Sequence, residues 1–275
     1  MAIITISREM GSGGIPIAHK AAEKLGYTLV DGEMLMKVAE KYGLSAEALE
    51  KADEKPPAFV EKQDYQVEVD LHQIELIILE YALKGNVIIY GRGGQDLLQE
   101  IDSVFRVRVI APFDLRVERW AEREWLDPDL ARKLVRRSDQ QRAGFIKYYF
   151  DRDWEDPLGY DLIINTERIT EETAVELICD GVADPDLQEN KAANKKILKD
   201  LILRKRIEIG LLSSEVVEEL NVEVFVKNGK ATLTGTAHSE DERQEMLRVA
   251  ATCPDVAEVI DRLRVIKYRN YINEH

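Results

Sequence analysis

Apolar and polar residues alternate in blocks along the first 180 residues of this chain. Short apolar runs predict five strands buried on both faces: Ile3–Ile6, Tyr27–Val30, Val87–Tyr90, Val104–Ile110 and Tyr160–Ile164. Between the runs, apolar residues recur every three to four positions, which predicts helices over 15–26, 33–42, 68–84, 114–125, 129–150 and 170–180. Strands that alternate with helices indicate an α/β fold, with a parallel sheet and helices on both faces.

One stretch of this first region does not fit the alternation. Residues 44–64 are rich in Glu, Lys and Ala and are interrupted by Pro56 and Pro57. Two adjacent prolines interrupt regular structure, because proline lacks a backbone donor and restricts the residue before it. We therefore predict a mobile flap here rather than a strand of the sheet.

The pattern changes after Asp180, where the sequence Gly-Val-Ala-Asp-Pro-Asp over 181–186 is typical of a linker. We predict a first domain over 1–183 and a second over 187–268. The second begins with a charged helix from about Leu187 to Ile209.

A hairpin is the strongest structural signal in the second domain. Polar and apolar residues alternate over Val222–Val226, Asn228-Gly229 forms a two-residue turn, and the chain returns with Leu233 opposite Val224. A helix over 239–252 and a strand over 256–266 complete the pattern. The prediction is a small α+β unit in the order α-β-β-α-β, with Val224 and Leu233 buried under the second helix.

A glycine cluster follows the first strand and leads directly into a helical pattern. Strand, glycine loop and helix in this order form a cradle for phosphate, because glycines let the backbone approach and helix N-terminal amides face the anion. The candidate residues are Gly11, Ser12, Gly13 and Gly14. A tight turn without a ligand is the alternative. The loop also departs from the pattern GxxxxGK[ST], because Gly14 takes the lysine position and Ile15 or Pro16 the hydroxyl position.

Composition and charge exclude several classes of protein. The net charge of −14 argues against non-specific binding of nucleic acid. No apolar run approaches the ~20 residues that span a bilayer, and we expect neither a transmembrane segment nor a signal peptide. Cys179 and Cys253 are far apart and lack a metal-ligand pattern, so we expect buried free thiols, no metal site and a cytoplasmic location.

Positive charge is concentrated in one region of this acidic chain. Residues 106–152 hold ten arginines and two lysines against eight Asp and Glu. An arginine-rich island of this kind predicts an anionic ligand.

Four stretches give the first domain its resemblance to a known family. They are Ile4–Glu9 with Gly11–Gly14, Val87–Gly94, Ala111–Arg119, and Asp153–Trp154 with Tyr160–Thr166. Residues 1–180 resemble the cytidylate kinase-like branch of the P-loop nucleoside monophosphate kinases. Residues from about 190 to 268 resemble a BON domain, a small module linked in other proteins to membrane or ligand binding.

The resemblance implies a P-loop NTPase-type sheet and transfer of the γ-phosphoryl group of ATP, bridged by Mg²⁺, to a nucleoside monophosphate. CMP or dCMP is the implied acceptor. A BON ligand or membrane partner is also implied. Two alternatives stay open: a nucleotide-binding pseudokinase that lacks the loop lysine, and a protein whose BON-like part binds lipid or a partner while the kinase fold serves as scaffold.

Candidate substrate residues follow from their places at strand ends. Arg92 comes just after a buried strand and between glycines, where a planar guanidinium can bind a phosphate or a cytosine edge. A structural ion pair is its alternative. Asp31 also ends a strand; the resemblance places it at the acceptor, although a helix N-cap would explain it equally. The resemblance also assigns Arg119 to substrate binding.

Arginines are the candidates for catalysis, because phosphoryl transfer depends on positioning and on cationic stabilisation. Arg132, Arg136 and Arg142 lie in the region that resembles the family's lid, where they could supply the charge that Gly14 does not. Positions 132 and 136 share one helix face. A solvated basic face is the alternative. Arg8, which flanks the glycine loop, is a further candidate for binding the nucleotide phosphates.

Overall fold

A computed structural model describes residues 2–51, 54, 65–217 and 221–266. Its first region contains a five-stranded sheet in the order β2-β3-β1-β4-β5, in which every pair of neighbours is parallel. The strands are β1 (Ile3–Arg8), β2 (Thr28–Val30), β3 (Val87–Tyr90), β4 (Val104–Ile110) and β5 (Leu162–Asn165). The predicted parallel α/β sheet is confirmed.

Helices cover both faces of this sheet. They are α1 (Gly14–Leu25), α2 (Gly32–Val38) with a 3₁₀ turn over Ala39–Tyr42, α3 (Ala46–Lys51), α4 (Tyr65–Lys84), α5 (Gly94–Leu97), α6 (Phe113–Glu124), α7 (Pro128–Phe150) and α8 (Glu171–Val182). Ile3 and Ile89 pack with Ile77 of α4 on one face. On the other face, Ile4 packs with the residues of α1 and α8, since alternate residues of a strand point to opposite sides.

The predicted flap is helical in part. Leu44 and Leu49, beside and within α3, are buried in the same core cluster as Ile77. Glu54 is buried as well. Residues 52, 53 and 55–64, and with them Pro56 and Pro57, lie outside the described residues.

The second region contains α9 (Lys191–Leu212), β6 (Val222–Lys227), β7 (Lys230–Ala237), α10 (Glu240–Thr252) and β8 (Glu258–Val265). Its sheet has the order β6-β7-β8, with β6 antiparallel and β8 parallel to β7. Val224 pairs with Leu233, as the hairpin pattern predicts. Both side chains are buried in one cluster with Met246 and Ala250 of α10.

Helix α9 contributes to two hydrophobic cores. Leu198 and Ile202 are buried in the cluster that contains Ile77 of α4, whereas Ile207 and Leu211 are buried under the second sheet. The helix therefore joins the two predicted domains by direct packing as well as by connection.

Buried charges reinforce this contact between α4 and α9. The Nζ atom of Lys205 lies 2.7 Å from Oε2 of Glu75 and 2.9 Å from Oε2 of Glu208. Burial alone would raise the pKa of Glu75, but the Lys205 ammonium and His72 lower it to about 2. The pair is therefore ionised at neutral pH.

Two further observations concern the predicted thiols and the predicted lack of a transmembrane segment. Cys179 and Cys253 are free thiols and are partly buried. None of the helices within the described ranges is both long and apolar enough to cross a bilayer.

Candidate functional site

The loops after β1 and β3 lie side by side at the carboxyl edge of the first sheet. Ile6 pairs with Tyr90, and the Gly91 amide donates to the Ile6 carbonyl oxygen over 3.0 Å. Ligands of parallel α/β sheets bind at this edge. The glycine loop and Arg92 are thereby brought together, as their positions in the sequence predict.

The glycine loop adopts a conformation that its glycines make accessible. Gly11 and Gly13 have φ values of 78° and 85°, a left-handed region that other residues avoid. A Cβ atom on Gly11 would lie 2.5 Å from the Arg116 carbonyl oxygen, so the loop also rests closely against α6. Both features fit a loop whose backbone approaches a ligand.

The loop amides are not all available to an anion. The Ser12 amide donates to the Glu9 carbonyl oxygen over 3.3 Å, and the fully buried Ser12 Oγ donates to the same oxygen over 2.8 Å. Among the hydrogen bonds of the described residues, none uses the amide of Gly13 or Gly14 as donor. The amide and the hydroxyl of Ser12 are therefore engaged within the protein, and the anion-binding role of the loop stays a prediction that rests on the amides of Gly13 and Gly14 at the N-terminus of α1.

Arg8 fills the space in which a loop lysine would begin. A Cβ atom on Gly14 would lie 2.9 Å from Cβ and 3.2 Å from Cγ of Arg8, and 3.2 Å from the Tyr90 hydroxyl oxygen. The Arg8 guanidinium stacks on the Tyr90 ring, with its central carbon 4.3 Å from the ring centroid. An arginine from the end of β1 thus occupies the space beside position 14, where a lysine side chain would begin.

Glu54 is the centre of a buried charge cluster, which we define as Arg8, Glu54, Arg142 and the Arg92 amide. Nη1 of Arg8 donates to both oxygens of Glu54, over 2.8 and 2.7 Å. Nε of Arg142 donates to Oε2 over 3.1 Å, and the Arg92 amide to Oε1 over 2.5 Å. The side chains of Arg8, Glu54 and Arg142 are only 14%, 10% and 17% exposed.

The electrostatics of this cluster favour the charged carboxylate. Burial alone would raise the pKa of Glu54, but the neighbouring guanidinium groups, Arg8 before Arg142, hold it well below its usual range. Arg8 Nε and Arg142 Nη1 are buried and, among the described residues, have no hydrogen-bond acceptor. The cluster therefore has more donors than Glu54 satisfies.

A second ionic network supports the glycine loop from the side of α6. Arg116 Nη1 lies 2.6 Å from Oδ2 of Asp139 and donates to the Met10 carbonyl oxygen over 3.1 Å. The Met10 amide in turn donates to Asp139 over 3.0 Å, and Glu9 lies 3.2 Å from Nε of Arg116. Burial raises the pKa of Glu9 and the Arg116 charge opposes that rise. These residues position the loop.

Arg92 and Asp31 lie together at the ends of β3 and β2. Arg92 has a φ of 57°, and its Nη2 lies 3.9 Å from the position of a Cβ on Gly32, the residue after Asp31. Asp31 is the N-cap of α2, where its Oδ1 accepts the Met34 amide over 2.9 Å. Asp31 therefore caps helix α2, as one of its two interpretations predicts. Its place beside Arg92 is compatible with the other, a role in binding the acceptor.

The three predicted lid arginines do not converge. The guanidinium carbons of Arg132 and Arg136 lie 5.5 and 5.3 Å from the centroid of the Phe113 ring, as their shared helix face predicts. Arg132 is also paired with Asp114 at 2.7 Å, near the surface. Arg142 lies instead in the buried cluster, because ten residues along a helix bring it to a different face. The three arginines predicted to act together therefore lie in two places, Arg132 and Arg136 at Phe113 and Arg142 at Glu54.

Arg119 contacts the glycine loop through Thr166. Its guanidinium donates to Oγ1 and to the carbonyl oxygen of Thr166, over 3.0 and 2.9 Å, and Thr166 Oγ1 donates to the Ser12 carbonyl oxygen over 2.8 Å. Arg119, Thr166, Ser12 and Gly13 line a cavity of about 230 Å³. Arg92 and Asp31 are not among its lining residues, so Arg119 lies apart from the predicted acceptor side.

The glycine loop offers few ligands to a divalent cation. Ile15 and Pro16 have no hydroxyl, and Ser12, whose Oγ donates to the Glu9 carbonyl oxygen, is fully buried. Among the described residues, no three His, Cys, Asp or Glu side chains form a group that could hold a metal ion. The residues at the loop therefore do not fit a protein-held Mg²⁺.

Sequence reasoning missed Glu54, Tyr90 and Arg108. Arg108 is buried in β4, with its guanidinium carbon 4.1 Å from the centroid of the Trp154 ring and its Nη1 donating to the Trp154 carbonyl oxygen over 2.5 Å. An arginine within an apolar strand was a usable signal. Glu54 gave none, because its partners lie 38 to 88 residues away.

Comparison with known proteins identifies the family. The model of the cytidylate kinase-like family matches residues 3–168, and the model of the BON domain matches residues 199–267. The chain belongs to the cytidylate kinase-like family and carries a BON domain after the kinase-like region.

Individual relatives agree with this family. A cytidylate kinase of Staphylothermus marinus is 29% identical over 180 residues, which cover 65% of this chain and 94% of the relative. A cytidylate kinase of Pyrococcus horikoshii is 33% identical over 168 residues, which cover 60% and 80%. A solved structure of an uncharacterized protein from Eubacterium ventriosum has a TM-score of 0.54 at 23% identity and covers 66% of this chain and 98% of that one. That likeness concerns the fold alone.

Proposed function

We propose that this protein transfers the γ-phosphoryl group of ATP to a nucleoside monophosphate, with CMP or dCMP as the acceptor. The observation that carries the proposal is a cation beside the place of the loop lysine: Arg8 fills the side-chain space next to Gly14, and its guanidinium meets the Arg92 amide at Glu54. Relatives named cytidylate kinase support the choice of acceptor.

The two substrates would lie on opposite sides of the glycine loop. The open amides of Gly13 and Gly14 at the start of α1 suit the phosphates of ATP. The cavity at Thr166 and Arg119 lies against the same loop and suits the donor base, so we propose Arg119 for the donor instead of the acceptor. Arg92 and Asp31 then form the acceptor side.

The chemistry follows from this arrangement. An oxygen of the acceptor phosphate attacks the γ-phosphorus, the bond to the β-γ bridging oxygen breaks, and its electron pair stays on the ADP that leaves. Charge develops on the transferred oxygens and on ADP, and fixed cations stabilise it without reorganisation. Arg8 and Arg142 are the buried cations nearest the loop. Mg²⁺ would arrive with ATP.

The test is an assay of ADP formation with MgATP and CMP, dCMP, UMP or AMP in turn. We expect turnover with CMP or dCMP, and a loss on the order of 10²-fold in kcat for Arg8→Ala, the magnitude typical of a removed transition-state donor. Arg123→Ala, which removes an exposed arginine, is the matched control. Turnover that survives Arg8→Ala unchanged would contradict the assignment.

A nucleotide-binding pseudokinase remains the second candidate. The loop lacks both the lysine and the hydroxyl that usually face the phosphates and Mg²⁺, which favours this candidate. Binding of ATP without turnover on any of the four acceptors would establish it. For the BON domain, we propose a binding role toward a ligand or membrane partner.

A further inference from the structure

The carboxylate of Glu54 is bound in the way that a phosphate group is bound. Four donor contacts converge on its two oxygens, three from guanidinium groups and one from a backbone amide. Arginine forks together with a main-chain amide are the usual donors to phosphate. The site therefore has the chemistry of an oxyanion pocket.

The backbone around the pocket is shaped to hold this anion. A Cβ atom on Gly91 would lie 2.1 Å from Nη1 of Arg8 and 2.5 Å from Oε1 of Glu54. Gly91 has a φ of 72° and the next residue, Arg92, a φ of 57°, which turns the Arg92 amide toward the carboxylate. A sharp turn with left-handed residues is a built feature of the loop after β3.

Glu54 is an incomplete ligand for this pocket. It carries one negative charge against the two buried guanidinium groups of Arg8 and Arg142, and Arg8 Nε and Arg142 Nη1 have no hydrogen-bond acceptor among the described residues. The carboxylate of Asp139 lies 3.9 Å from Arg142 Nη1, beyond hydrogen-bond distance, and is paired with Arg116 at 2.6 Å. A phosphate monoester carries up to two negative charges and three terminal oxygens. It can therefore balance both guanidinium charges and offer an additional oxygen to Arg8 Nε and Arg142 Nη1.

We propose that this pocket is the binding site for the phosphate of the acceptor, and that Glu54 is its internal ligand, displaced when a phosphate monoester binds. The proposal rests on the proposed function, because it identifies the ligand as the acceptor nucleotide. The protein then binds its acceptor by exchange of one anion for another. The apparent affinity for the acceptor is then the intrinsic affinity multiplied by the fraction of molecules in which Glu54 has left the pocket.

The displacement of Glu54 also links the acceptor to helix α3. Glu54 lies three residues beyond that helix, whose Leu49 is buried against the first core. An incoming phosphate must therefore move residue 54 away from Arg8 and Arg142.

The experiment compares CMP binding to the full-length protein by calorimetry, for wild type, Glu54→Gln and the control Glu47→Gln, an exposed residue of α3. We expect Glu54→Gln to bind CMP at least about tenfold more tightly, because a neutral amide competes less well for the guanidinium groups. Glu47→Gln should match wild type. Adding Arg142→Ala to Glu54→Gln should remove the gain. Equal or weaker CMP binding by Glu54→Gln would overturn the proposal.

Two further readouts separate the outcomes. If Glu54→Gln does not fold, hydrogen exchange of wild-type α3 decides: its amides should exchange faster with saturating CMP, and unchanged exchange would overturn the proposal. A tenfold gain in CMP binding without turnover would support the pocket while refuting the kinase reaction. Turnover on CMP with no gain from Glu54→Gln would refute the pocket alone.

Discussion

The Cβ atom of Arg8 lies 2.9 Å from the position that a Cβ atom on Gly14 would take. A strand residue and a helix residue thus compete for one side-chain space in the cleft, and Arg8 holds it. The space that a side chain at position 14 would enter is therefore already filled by an arginine from β1.

Restoring the lysine should therefore destabilise the protein. Gly14→Lys forces a side chain against Cβ and Cγ of Arg8, and overpacking of this kind typically costs about 1–3 kcal/mol. Urea denaturation measures the loss. In Gly14→Lys combined with Arg8→Ala, the loss should be smaller than the sum of the two single losses, because the variant lacks Cγ and the guanidinium of Arg8 and keeps only the contact with Cβ. Additive losses would show that the two positions are independent.

Arg142 and Arg132 should differ sharply when each is changed to Ala. Arg142→Ala removes a buried partner of Glu54 and should cost several-fold in kcat as well as about 3 kcal/mol of stability, as breaking a buried pair does. Arg132→Ala removes an ion pair with the largely exposed Asp114 and should change stability by less than about 1 kcal/mol. Parallel assays and denaturation curves measure both. Equal effects of Arg142→Ala and Arg132→Ala on kcat and on stability would instead support the prediction that the lid arginines act as one set.

Arg92→Ala should weaken acceptor binding far more than ATP binding. The Arg92 guanidinium reaches toward Gly32, and Arg92 does not line the cavity at Thr166. Its backbone amide, which donates to Glu54, is retained in the variant. Calorimetric titrations with CMP and with ATP measure the two affinities. Equal loss of both, or failure to fold, would assign Arg92 a structural role.

The Glu75–Lys205 pair should make stability depend on acid pH. The pKa of Glu75 is lowered to about 2 from an ordinary 4.5, so its stabilisation is complete above pH 4.5 and is lost as pH falls toward 2. The shift corresponds to on the order of 3 kcal/mol. Urea denaturation at several pH values should show a steeper acid loss for wild type than for Glu75→Gln. Identical slopes would contradict the pairing.

Removing the second region should destabilise the first. A fragment of residues 1–186 lacks Leu198 and Ile202, which are buried against α4, and lacks the partner of Glu75. We expect lower solubility and a lower Tm than for a fragment of residues 1–212, which keeps α9. Differential scanning fluorimetry of both fragments measures this. A stable, soluble 1–186 fragment would instead support two independent folding units with α9 belonging to the second.

The sequence predicts the parts of this protein that depend on local pattern. The strand–glycine–helix order at Gly11–Gly14 and the register of Val224 with Leu233 follow from spacing alone, and both hold in the structure. The cluster around Glu54 could not be predicted in the same way, because its partners come from three distant elements. Helix α9 shows a second limit, since periodicity identifies an apolar face but not which of two cores it enters.

The turn of the second hairpin has a consequence for how this module can be used elsewhere. The carboxylate of Asp200, in α9, accepts the amides of Asn228 and Gly229 over 2.7 and 3.0 Å. Asp200 thus ties the tip of the hairpin to α9, the helix that precedes the hairpin in the chain. The same helix packs Ile207 and Leu211 against the second sheet. A chimera that contains the second sheet and α10 without α9 would leave the amides of Asn228 and Gly229 without Asp200 and would expose the apolar residues that α9 covers. The smallest segment that can be transferred to another protein therefore begins at Lys191.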